Sequence, residues 1–101
     1  MSSEKEMYQA LHPDPTKQGM RVTKAHFDAY HAALLQVIPA AEEGVFYSDL
    51  AKLVEPLLSA ETLANTKSMW WITTVKLDME ARNVIERVPG RGKQRVRLTT
   101  A

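Results

Sequence analysis

The sequence predicts an α+β domain in which three helices are followed by a β-hairpin, with a further segment ahead of them. Two observations carry this. The stretch TKSMWWITTVKLDMEARN, Thr66 to Asn83, is the longest that reads as one uninterrupted helix. After it, VIERVP and QRVRLT flank the turn GRGK, which is the pattern of two strands around a glycine-bearing reversal. At about 100° per residue, Trp71, Ile72, Val75 and Met79 form one apolar arc of the long helix, and Trp70, Leu77 and Ala81 form a second beside it. A helix so widely apolar is normally packed on two or more sides. That leaves Met69, Thr73, Lys76, Glu80 and Asn83 as the strip expected to face water.

In chain order, residues 1–22 form an N-terminal extension. Short alternating stretches at Lys5 to Leu11 and Met20 to Val22 are separated by HPDPTKQG, where Pro13, Pro15 and Gly19 exclude a continuous helix. Two short strands around a loop, or an arm lying on the domain, both fit. The main domain then spans residues 23–101. Its first helix is expected from Lys24 to Ile38, with Thr23 as N-cap and Pro39 as terminator. Phe27, Tyr30, Leu34, Val37 and Ile38 recur there at helical spacing. Gly44 to Tyr47 reads as a brief strand. Ser48 is the expected cap of a second helix carrying Leu50, Leu53, Val54, Leu57 and Leu58, which Pro56 should kink or end, because proline has no N–H and clashes with the preceding turn. Ser59 to Asn65 reads as a connection, with or without one turn of helix. Asn65 or Thr66 should cap the long helix, and Asn83, tolerant of the left-handed conformation, should close it. In the hairpin, Val96 and Leu98 are expected to point inward and Arg95 and Arg97 outward.

With 101 residues the chain fits one domain, burying on the order of two thirds of its unfolded surface. It has no cysteine, which removes disulfides, thiolate metal sites and cysteine nucleophiles. No apolar run approaches the roughly 18 residues of a membrane span, and MSSEKEMYQ lacks the pattern of a signal peptide, so the expected setting is soluble and cytoplasmic. The net charge of +1 hides an asymmetry: residues 1–66 carry 5 Lys/Arg against 9 Asp/Glu, whereas residues 67–101 carry 8 against 3. The basic end is either an electrostatic footprint for nucleic acid or a solvated, arginine-rich hairpin.

The order helix, short strand, helix, long helix, hairpin is similar to a winged-helix domain, in which a hairpin wing follows the third helix. The join VKLDMEARNVIER carries the resemblance most specifically: Met79 stands four before Asn83, and Val84 and Ile85 open the wing. More narrowly, MWWITTVKLDMEARNVIER resembles a family of small, uncharacterised bacterial winged-helix proteins with a Trp-Trp pair and an L-D-x-E-A run. Two features depart from the plan: the connection from Leu58 to Thr66 exceeds a compact helix-turn-helix turn, and residues 1–22 lie outside its core.

The resemblance implies double-stranded DNA as partner and regulation of transcription as role. Lys67 and Ser68 would then meet phosphate, Thr73 and Lys76 would read bases or phosphate, and Arg91, Lys93, Arg95 and Arg97 would contact the backbone from the wing. Glu80 beside Lys76 opposes strong groove recognition, since a carboxylate repels phosphate. The alternative is a protein-interaction or self-association module using Trp70, Leu77 and Ala81. A homodimer also fits, because paired half-sites suit dimers and the N-terminal arm is spare. Asp78 is read as a structural carboxylate held by an arginine or a backbone N–H. His12, His26 and His31 lack the spacing of a metal site, and no P-loop, dinucleotide fingerprint or nucleophile elbow occurs. No catalytic residue, cofactor or metal is expected.

Overall fold

A computed structural model describes residues 6–99; residues 1–5, including the start of the predicted extension, and 100–101 lie outside the described residues. The elements are β1 (Met7–Gln9), β2 (Arg21–Thr23), α1 (Lys24–Val37), β3 (Val45–Phe46), α2 (Leu50–Val54), α3 (Ala60–Asn65), α4 (Ser68–Ala81), β4 (Ile85–Arg87) and β5 (Arg95–Leu98). Turns of 3-10 helix precede and follow α2, at Tyr47–Asp49 and Glu55–Leu57. The architecture is mixed α+β. β1 and β2 pair antiparallel, and β3, β5 and β4 form an antiparallel sheet in that order.

Most of the large buried apolar side chains are ones whose periodicity marked them, but Leu53 and Leu57, marked on the second helix, are exposed. Phe27, Tyr30, Leu34 and Ile38 meet Leu50 and Val54 from α2, Trp71, Ile72, Val75 and Met79 from α4, and Ile85 and Val96 from the sheet. Each large apolar side chain withdrawn fully from water contributes about 1.5–3 kcal/mol. α4 packs against α1, α2 and β4, while α1 meets α4, α2 and both strands of the N-terminal hairpin. The end of α4 is a Schellman turn: Asn83 sits at φ 62°, its N–H bonds to Glu80 O at 3.1 Å, and Val84 N–H bonds to Met79 O at 2.9 Å. This closure aims the chain straight into β4.

Several local expectations need correction. Thr23 is already the last residue of β2, and its hydroxyl does not cap α1. Ser48 falls inside the 3-10 turn rather than capping α2, because the chain winds into α2 without the break a side-chain cap requires. The segment read as a connection contains α3, which Ser59 caps by accepting the Thr62 N–H at 3.0 Å. Neither Asn65 nor Thr66 caps α4. The Thr66 hydroxyl instead donates to Thr62 O and accepts from the Tyr30 hydroxyl, each at 2.7 Å, tying α3 to α1. Pro56 does end α2, at Val54, and the chain continues as the 3-10 turn.

The N-terminal hairpin is part of the core. Ala10 is buried, Tyr8 packs on Phe27 with ring centroids 4.2 Å apart, and Ala10 N–H bonds to Met20 O at 2.8 Å. Gly19 is required there: a β-carbon on it would lie 1.9 Å from Ala10 O. The loop between β1 and β2 reaches α4, where Leu11 N–H donates to the Asp78 carboxylate at 2.9 Å and Arg82 donates to the same group at 3.0 Å. Asp78 is the structural carboxylate that the sequence indicated.

Candidate nucleic-acid interface

The β4–β5 hairpin is held at its base by Val88 N–H bonding to Arg95 O at 2.9 Å. Beyond that bond the loop runs through Gly90 (φ 136°) and Gly92 (φ 95°), both in the positive range that favours glycine and both with open space around them. Arg91 and Lys93 are exposed, and neither makes an ion pair or hydrogen bond among the described residues. The loop backbone and its flanking arginines enclose a shallow polar hollow of about 300 Å³. No acid occurs between Arg87 and Arg95. Arg87 was not singled out from sequence, yet its side chain is 58% exposed and reaches Glu80 only at 3.5 Å. Its outward place in a strand, next to the glycine turn, was the available signal.

The other two hairpin arginines are engaged within the fold. Arg95 donates to Glu43 O at 3.1 Å and lies over the Phe46 ring. Arg97 donates to Glu42 O at 2.9 Å and to the Glu86 carboxylate at 2.6 Å. Both point away from the core as expected, but they fasten the turn before β3 onto the sheet.

On α4 the expected water-facing strip is corrected more sharply. Lys76 is 2% exposed: its ammonium donates to Glu80 at 2.8 Å and to the Gln94 side chain at 3.0 Å, and lies 5.2 Å from the Tyr47 ring centre. Burial pushes the Lys76 ammonium below its ordinary pKa of 10.5, with the hydrogen bond and charge of Glu80 acting the other way. The Thr73 hydroxyl is bonded to the Tyr47 hydroxyl. Tyr47 and Gln94 thus roof over this side of the helix. The i, i+4 spacing of Lys76 and Glu80 was visible in the sequence; their cover from Gln94, just before β5, and from the turn after β3 was not.

Lys67 is exposed at the start of α4, while Ser68 is half-buried with its hydroxyl 3.5 Å from that of Tyr30. Trp70 is 44% exposed, and Leu77 and Ala81 are half-buried beneath the N-terminal loop and the outer surface. Lys67, Arg91 and Lys93 therefore remain as outward cations, whereas Lys76 is enclosed and Thr73 is half-buried against Tyr47.

The histidines lie apart. His26 meets Trp71 edge-on, His31 stacks on Phe27, and His12 accepts the Asp14 N–H. Among the described residues no three His, Asp or Glu side chains converge as metal ligands, and no helix is long and apolar enough to cross a membrane.

A family model described as a family of unknown function (DUF6958) matches residues 7–96. The chain belongs to that family. The DUF6958 match begins at β1 and runs into β5, so the N-terminal hairpin and the basic hairpin both fall within the family's unit. No curated protein and no solved structure matches the chain.

Proposed function

We propose that this chain is a winged-helix domain that binds duplex DNA, gripping the phosphate backbone with its β4–β5 wing rather than reading bases with α4. The observation that carries this reading is the wing loop itself, where Arg91, between the open glycines Gly90 and Gly92, and Lys93 just after them stand exposed, with no acid from Val88 to Gln94. Lys67 at the start of α4 supplies a further cation. The succession α1, β3, α2, α3, α4 and hairpin, with β3 paired to β5, supports a winged-helix plan in which α3 is an added turn of helix between the second and third helices. Lys76 and Thr73 are withdrawn from this role by their internal partners. Affinity would then rest mainly on counterion release, with little sequence preference. Regulation of transcription in a bacterial cytoplasm is the role that best suits such a domain.

The test is a titration of isotope-labelled protein with a short mixed-sequence duplex, followed by amide shifts at low salt and again at about 200 mM. Shifts at residues 87–95 and around Lys67 that fade with salt are expected. No shift at low salt would overturn the reading. A protein-interaction role is the second reading, favoured by one observation: the outward face of α4 is apolar, with Trp70 at its head.

A further inference from the structure

We propose that the head of α4 seats one unpaired nucleotide, so that the DNA this chain takes is a duplex with a single-stranded end rather than a blunt one. The inference rests on the wing reading and names the substrate of that same surface. Ala64, Asn65, Thr66, Lys67, Trp70 and Trp71 line an open hollow of about 640 Å³. Sites for small organic molecules occupy about 300–1,000 Å³, so the hollow has room for a base and its phosphate.

Three of these groups give the hollow its chemistry. Trp71 lies nearly parallel to Tyr30, at 9°, and is 9% exposed, so it forms a fixed floor. Trp70 stands against it at 77°, with ring centres 5.3 Å apart, and is 44% exposed. Phe46 is bared to a similar degree but already carries Arg95 over its ring, whereas no cation lies over Trp70 among the described residues. A bare indole face stacks on any nucleobase. Lys67 is exposed beside it and makes no ion pair among the described residues, which suits the phosphate that accompanies the base. The Asn65 carboxamide gives one hydrogen to Glu61 O at 2.8 Å and keeps its oxygen and second hydrogen for a base edge. No acid lines the hollow among the described residues; Glu61 borders the neighbouring one, with His26 and Thr62.

The hollow and the wing tip lie at the same end of α4. Arg87 reaches Glu80, whereas Gln94, two rungs nearer the hairpin tip, bonds to Lys76 one turn earlier in the helix. The hairpin therefore runs back along α4. At about 3.4 Å per strand residue and 1.5 Å per helix residue, its loop ends beside the first half of that helix. Lys67 lies about 13 Å before Lys76 on the same axis. Met69, 43% exposed, continues the strip of Thr73 and Lys76 and stands next to Trp70. A strand gripped by Arg91 and Lys93 is thus carried across Met69 to Lys67 and Trp70. Bases inside a duplex have both faces stacked and cannot offer one to the indole; an unpaired base can.

Binding of the full chain to a blunt duplex of about 12 base pairs, and to the same duplex with short thymine tails at both ends of one strand, tests this by anisotropy and tryptophan emission at about 50 mM salt. The tailed probe is expected to bind about tenfold more tightly and to quench the emission, since stacking on one aromatic ring accounts for a factor of that order. Trp70→Ala should bring the tailed probe to the affinity of the blunt one, leave the blunt one unchanged and keep the wild-type circular dichroism. Trp70→Phe, which retains a stacking face, should keep most of the preference. Arg91→Ala with Lys93→Ala should weaken both probes alike and leave their ratio intact. Equal affinity for the two probes, no quenching by the tails, or a tail preference that survives Trp70→Ala would each overturn the proposal and leave the wing reading standing. Binding to neither probe would overturn both.

Discussion

The Asp78 carboxylate accepts the backbone N–H of Leu11 at 2.9 Å across 67 positions of sequence. Asp78 is 1% exposed, and its second partner, Arg82, lies one turn further along α4. One buried side chain therefore fastens the N-terminal hairpin to the central helix. Asp78→Ala should cost about 1–3 kcal/mol, because the part-buried Leu11 N–H loses its acceptor while Arg82, 41% exposed, turns to water. Amide exchange at Leu11 should accelerate more than exchange in the α4 core. Protection of Leu11 at the wild-type level would contradict this anchoring role.

The Lys76–Glu80 pair predicts an asymmetry between its two deletions. Glu80→Ala leaves a buried ammonium facing only Gln94 and Tyr47, and should cost about 3–5 kcal/mol. Lys76→Met keeps the stem's packing and removes the charge, so stability should stay within about 1 kcal/mol of wild type if Glu80 turns to solvent or to Arg87. Denaturant melts of the two variants measure the difference.

The same lysine should be visible in the pH dependence. Its folded pKa lies below 10.5, so the unfolded chain holds the proton longer as pH rises. The penalty of burying the charge is present in full below the folded pKa and is relieved as pH climbs towards 10.5, so this group makes stability rise. Tyr8 acts in the opposite sense. Burial first, and the Asp78 charge second, raise its pKa above 10.0, so the unfolded state ionises earlier and stability falls above that value. Subtracting the Lys76→Met curve from wild type isolates the lysine. A difference that does not grow between neutral pH and 10.5 would refute its burial as a charged group.

Two glycines should resist replacement for different reasons. Gly19→Ala drives a β-carbon into Ala10 O, and the hairpin must open to accommodate it. Gly44→Ala adds a φ of +67° to a contact at 2.4 Å from Val96 O, at the point where the chain enters β3. Each should cost about 2–4 kcal/mol. At about 4–8 °C per kcal/mol for a chain of this size, thermal melts resolve the effect easily.

The hairpin arginines should separate into two classes. Arg97→Ala loses bonds to Glu86 and the Glu42 carbonyl and should cost about 1 kcal/mol with a small effect on DNA affinity. Arg91→Ala with Lys93→Ala should leave stability within about 0.5 kcal/mol, while the slope of log affinity against log salt falls by up to about 2. Melts and filter binding on the same samples compare them directly.

The helices were legible because their apolar spacing is regular. Phe27, Tyr30, Leu34 and Ile38 mark α1, and the Pro56 stop and Asn83 close follow from backbone chemistry alone. α3 was less legible because AETLAN buries no side chain fully, so it leaves no periodic trace. The polar strip of α4 was misjudged for a different reason. A lysine and a glutamate one turn apart look identical whether they face water or each other under a roof, and the roof, Tyr47 and Gln94, comes from segments distant in sequence. The hairpin arginines posed a similar problem, since alternation gives a side chain's direction but not the carbonyl that waits for it.

The strand order β3-β5-β4 has a consequence for how the chain is made. β3 and β4 leave the ribosome before β5, yet neither can pair with the other, because the strand that joins them has still to be synthesised. The helices can assemble from neighbouring contacts while the sheet waits. Val96, paired with Val45 on one side and Arg87 on the other, is the residue at which both halves close. Folding of the sheet should therefore be a late and nearly simultaneous event during translation, with the nascent chain exposing two unpaired edges until then.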